Sequence, residues 1–177
     1  MLRITAVFAA LLAIGCTPET SGNALTPTSL PAQQQANSAQ LSLASEAVSI
    51  CSNFMPDTDA VQNALRQRGY AKLRQEGPIA IYDLGAGETV AIVSTAPRRL
   101  EKICGVQAMG LTPTQGMQLI QPWVARINGI ANSQLGRGIA GAWRGRLGDD
   151  LTFIAVNANS EIRDIEGAWL RMLVVDR

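Results

Sequence analysis

The chain has 177 residues, with 15 basic and 14 acidic side chains, and contains no histidine. The missing imidazole excludes Ser-His-Asp and Cys-His catalysis, paired-histidine zinc sites and a histidine pH switch. Balanced charge leaves no electrostatic footprint for nucleic acid, and with only Lys72 and Lys102 as lysines, Schiff-base chemistry has few candidates.

Arg3 is followed by a twelve-residue apolar run, Ile4 to Gly15. A spanning helix needs roughly twenty residues, so this run is too short to be a transmembrane anchor. A basic start, a short apolar core and a small-residue exit have the layout of a secretory signal peptide over residues 1–15. Leu12-Ala13-Ile14-Gly15-Cys16 resembles the lipobox of bacterial lipoproteins. The resemblance implies cleavage before Cys16, acyl chains (palmitate among them) on its thiol and new amino terminus, and attachment to a membrane through that lipid. Thr17, where an aspartate would resemble the inner-membrane pattern, implies the outer membrane, with the domain facing the periplasm. Ordinary cleavage after Gly15, leaving Cys16 a free thiol, is the alternative.

With Cys16 carrying lipid, Cys51 and Cys104 remain as an even pair. In the oxidising compartment that export implies, they form a disulfide if their backbones come within about 6 Å. Two buried thiols is the other reading. Neither cysteine has Cys-x-x-Cys or metal-ligand spacing, so no metal or cofactor is expected.

Thr17 to Gln40 is rich in Pro, Ser, Thr, Asn, Gln and Ala, with Glu19 its only charge. Such a segment buries too little apolar surface to offset the entropy of ordering it. Residues 16–40 therefore read as the lipidated cysteine and a tether, about 80 Å long when extended. Residues 41–177 read as one globular domain.

Leu43, Ala47, Ile50, Cys51 and Phe54 recur at helical spacing and predict a first helix. Pro56-Asp57 ends it, and Asp57 caps a second whose apolar face is Ala60, Val61, Ala64 and Leu65, closed by Gly69. Strands follow at 79–84, 89–95 and 103–109, the first two joined by a Gly85 to Glu88 hairpin. Thr112-Pro113-Thr114-Gln115 is a capping box with proline at the first helical position, opening a helix along Met117, Ile120, Val124 and Ile127. Pro122 falls inside that run and should kink or break it. Trp123 beside the stripe reads as core.

Three more strands are predicted at 139–147, 151–157 and 169–175, with a turn at 147–151. On the first, Ile139, Gly141, Trp143, Gly145 and Leu147 share one face; Ala140, Ala142, Arg144 and Arg146 share the other. The pattern predicts an α+β fold: a mainly antiparallel sheet of about six strands with helices packed on one face, built as two helix-strand-strand-strand halves.

Three constellations carry candidate chemistry. Gly136-Arg137-Gly138-Ile139-Ala140-Gly141 is a literal G-x-G-x-x-G, but it opens a strand, whereas a dinucleotide site needs it between a strand and a helix. Arg137, Arg144 and Arg146, joined by Arg126, Arg163 and Arg171, could fork onto a carboxylate or phosphate. They could equally form a solvated edge paired with Asp149, Asp150, Glu161 or Asp164. Asp149, Asp150, Glu161, Asp164 and Glu166 could supply a glycosidase pair, yet they fall in two polar turns. The expected function is a non-enzymatic, lipid-anchored envelope module that binds an envelope protein or an anionic glycan. The rival is a glycan or peptidoglycan hydrolase or transferase using the carboxylates.

Overall fold

The computed structural model describes residues 36–85, 87–96, 101–162 and 165–175. The expected signal sequence, Cys16, the segment as far as residue 35, and the side chains of Glu161, Arg163 and Asp164 lie outside the described residues. The fold is α+β. Two helices, α1 (Ser38–Phe54) and α2 (Thr58–Gln67), precede four strands, β1 (Ala71–Glu76), β2 (Ile79–Gly85), β3 (Thr89–Ala96) and β4 (Glu101–Ala108). Two short helices, α3 (Pro113–Leu119) and α4 (Gln121–Arg126), precede four more strands, β5 (Ile130–Ala131), β6 (Ile139–Leu147), β7 (Asp150–Ile162) and β8 (Ile165–Val175).

All eight strands form one antiparallel sheet in the order β1-β2-β3-β4-β8-β7-β6-β5. Read outward from its centre, the order is 4-3-2-1 on one side and 8-7-6-5 on the other. The halves are thus two helices plus four strands each, not one helix plus three strands. The two unforeseen strands, β1 and β5, are edge strands exposed along their length. Neither carries the apolar alternation that half-burial imposes, which is why periodicity misses them.

The folded part begins ahead of the Leu41 boundary. Asn37 caps α1, accepting from the Gln40 backbone while the Gln40 side chain accepts from the Asn37 N–H, and Ala36 is buried. This reciprocal cap lets a helix start inside a segment whose composition reads as tether. The buried stripe of α1 is Ala44, Ala47, Val48 and Cys51. Phe54 is 42% exposed, because the helix ends there and Met55, 1% exposed, takes the place in the core.

Cys51 on α1 is joined to Cys104 on β4, with Cα atoms 5.9 Å apart and a sequence separation of 53. Asp57 caps α2 through the N–H groups of Asp59 and Ala60. Thr112 and Gln115 form the capping box of α3. The Pro122 break falls at Ile120, where α3 gives way to α4. The fully buried Trp123 donates its indole N–H to the Val48 carbonyl at 2.6 Å, and Arg126 donates to the Met55 carbonyl at 2.9 Å. Both bonds tie the second helix pair to the first.

All four helices pack on the sheet face that carries Cys104, Val106, Val93, Tyr82, Leu170 and Ile154. Close approach explains two glycines where helices meet this face, Gly145 on β6 and Gly116 on α3. A Cβ at Gly145 would fall 2.1 Å from the Ile127 carbonyl oxygen, and one at Gly116 would fall 2.8 Å from Leu170. No helix among the described residues is long and apolar enough to cross a membrane.

Both tyrosines of the chain are held in the protonated form. Burial first, then the hydrogen bond that Tyr70 donates to Glu46 and the Glu46 charge, push the Tyr70 phenol up to about 12. Burial raises Tyr82 as well. A raised phenol favours the neutral folded state, so the stability Tyr70 contributes is intact below its unfolded pKa of about 10 and is lost as pH rises from there towards 12. Absorbance at 295 nm should therefore show far less tyrosinate at pH 10 in the native chain than in urea. Equal signals would contradict this environment.

Candidate functional site

Alternation along the strands leaves a second sheet face that carries no helix among the described residues, and the register sets out its side chains in rows. One row runs Ile79, Ser94, Ile103, Leu173, Phe153, Arg144 and Ile130 across β2, β3, β4, β8, β7, β6 and β5. The next runs Ile81, Ile92, Gly105, Arg171, Ala155 and Ala142. A third runs Asp83, Val90, Gln107, Trp169, Asn157 and Ile139. Large apolar groups on this face stay accessible: Ile130 is 75% exposed, and Ile79 and Phe153 are each 37% exposed. On the β2–β3 side, Ile81 and Val90 are buried in a small cluster with Ile92 and Met109.

The centre of the face is an aromatic–cation unit. The Arg171 guanidinium lies 5.4 Å from the Trp169 ring centroid, a cation–π distance. Gly105 makes room for the indole, since a Cβ there would meet its Nε1 at 2.6 Å. That Nε1 and the Asn157 Oδ1 beside it in the row are buried, with no hydrogen-bond partner among the described residues.

The structure sorts the arginines differently from the sequence spacing. Arg144 and Arg146 do share the open face of β6, but Arg146 turns to the β6–β7 turn and donates to the Asp149 carbonyl at 2.7 Å. Arg137 is exposed in the loop before β6, and Arg126 is committed to the helix side. Arg144 instead shares a cavity with Arg171. Strand geometry puts their Cα atoms about 12 Å apart, close enough for both long side chains to lean over one hollow. Among the described residues, neither guanidinium is ion-paired; the pairs present are Arg68–Glu46 and Arg74–Glu76.

A bulge between Ile139 and Gly141 corrects the expected face of Ile139. Ile139 pairs with Asn157 on the open face and lines the cavity, while Ala140 packs towards the main core. One inserted residue reverses the alternation on one side of the bulge, which a strict period of two cannot anticipate.

The remaining constellations separate. Gly136 and Gly138 belong to the loop entering β6, and Gly141 lies beneath the Trp143 ring, where a Cβ would meet it at 2.6 Å. The motif thus serves an antiparallel strand and has no helix behind it. Asp149 and Asp150 lie at one end of β7, and Glu161, paired with Glu166, lies at the other. Eleven residues of extended strand put about 35 Å between the Asp150 and Glu161 backbone positions. A glycosidase pair needs no more than about 10 Å, well short of that backbone separation.

Trp169, Phe153 and Leu173 are the site residues that sequence reasoning missed. Their signal was present in β2, β3, β7 and β8, which are apolar on both faces although the described helices cover only one. Comparison with family models, curated protein sequences and solved structures finds no match to the chain.

Proposed function

We propose that this is a lipid-anchored cell-envelope protein, attached through Cys16 to the outer membrane and facing the periplasm, whose role is binding rather than catalysis. The observation that carries the binding role is the sheet face that none of the described helices covers, with Phe153, Leu173 and Ile130 accessible around Arg144 and Arg171. Accessible apolar surface of this extent on a folded domain marks a surface that meets a partner. An envelope protein or an anionic envelope glycan fits its mixture of apolar and guanidinium groups.

The anchor rests on Leu12 to Cys16 and their resemblance to a lipobox. The Cys51–Cys104 bridge supports an oxidising compartment. Three acyl chains, each buried methylene contributing about 0.8 kcal/mol, would hold the domain permanently at the bilayer.

Two measurements test the proposal. Cys16→Ala should abolish palmitate incorporation and move the protein from the membrane to the soluble fraction; an unshifted distribution would sink the anchor. A photocrosslinker replacing Phe153 should capture an envelope component in cells, whereas one at the exposed Ser45 on α1 should not. Equal yields at both positions would remove the open face as the binding surface.

A further inference from the structure

We infer that the cavity on the β5–β8 side of the open face binds an anionic single-chain amphiphile, an alkyl carboxylate or alkyl phosphate. This inference names a ligand for the face described above and rests on that reading. The cavity measures about 650 Å³, inside the range of small-ligand sites and too small to enclose a two-chain lipid.

Its shape has a cause in the sequence. Ala142 and Ala155 are register partners on adjacent strands, so two small side chains meet where larger ones would close the surface. Around them stand Ile130, Ile139, Phe153 and Leu173, which supply an apolar wall. The β-bulge contributes here by turning Ile139 onto this face.

The two cations in the lining define the headgroup. Arg144 and Arg171 bring fork-shaped donors to the cavity, and no carboxylate among the described residues engages them. Trp169 supports Arg171 from its ring face, which limits the ordering that binding would require. Guanidinium groups match a carboxylate or phosphate with paired charge-assisted bonds. A neutral head would leave that capacity unused, and a purely polar anion would leave the apolar wall unused. An alkyl chain ending in an anion satisfies both.

Titration calorimetry of the full chain with decanoate, decyl phosphate and neutral 1-decanol, all below micelle-forming concentrations, tests this. Saturable one-to-one binding of at least one anionic chain is expected, with 1-decanol about tenfold weaker or more. Which anion binds better identifies carboxylate or phosphate as the natural headgroup. Arg144→Gln and Arg171→Gln should each weaken the anion about tenfold while the near-ultraviolet circular dichroism stays native. Ala142→Leu, which fills the hollow without touching a charge, should weaken the anions and 1-decanol together. Equal affinity for neutral and anionic chains, or unchanged affinity in the double arginine variant, would overturn the inference. Absent amphiphile binding with Phe153 crosslinks retained would overturn this ligand while leaving the open face as a partner surface.

Discussion

Replacing Cys51 and Cys104 together with alanine should lower the unfolding free energy by about 4 kcal/mol. The loop they close spans 53 residues of sequence, and the chain-entropy model gives that magnitude for releasing it in the unfolded state. Domains of this size are stable by about 5–15 kcal/mol in total, so the variant should retain its fold with a small reserve. The urea midpoint should fall by about 2 M at an ordinary denaturant slope. Both sulfur-bearing residues are at most 1% exposed, so reductant added to the native protein should not reproduce the effect. Reduction in denaturant followed by refolding should. An unchanged midpoint in the double variant would show that the bridge contributes nothing to stability.

Trp123→Ala should destabilise the domain by a similar amount, about 3–5 kcal/mol. The indole is fully buried where α4 meets α1, and its N–H satisfies the Val48 carbonyl at 2.6 Å. Truncation empties the largest side-chain volume in the core and removes the donor to that carbonyl. Trp123→Phe separates these contributions: it keeps most of the volume, deletes the donor, and should cost about 1–3 kcal/mol. Because the bond joins the two helix pairs, hydrogen exchange in α1 and α4 should rise together in the alanine variant. Exchange confined to α4 would show that the halves are not coupled through Trp123.

The elements of the core were legible because burial imposes a period. Thr112-Pro113-Thr114-Gln115 announced the start of α3, Pro122 its break, and Asp57 the cap of α2, each through chemistry confined to four or five neighbouring residues. The six longer strands showed themselves through runs of β-branched and apolar residues bounded by turn residues. β1 and β5 did not, since an exposed edge strand is held by backbone hydrogen bonds that any sequence can make. Phe54 and Ile139 were assigned to the wrong faces because a helix end and a β-bulge interrupt periodicity at single residues.

The candidate site was less legible than the fold. Arg144 and Arg146 lie two residues apart and share a face, which spacing alone determines. Arg171 reaches the same cavity as Arg144 only because β8 returns to the sheet centre and β7 lies between β8 and β6. Strand order is a property of long-range pairing, and no local pattern encodes it. Asp150 and Glu161, by contrast, stand near opposite ends of one thirteen-residue strand, a spacing set by strand length alone.

The alternation, the caps and the absence of imidazole chemistry follow from residue types at short range, and Cys51 and Cys104 stand out there as candidate partners. Long-range packing is what makes Cys51 face Cys104, puts the described helices on one side of the sheet, and leaves them off an apolar face with two arginines. Those outcomes depend on which strands become neighbours, and that is settled by packing across the whole domain.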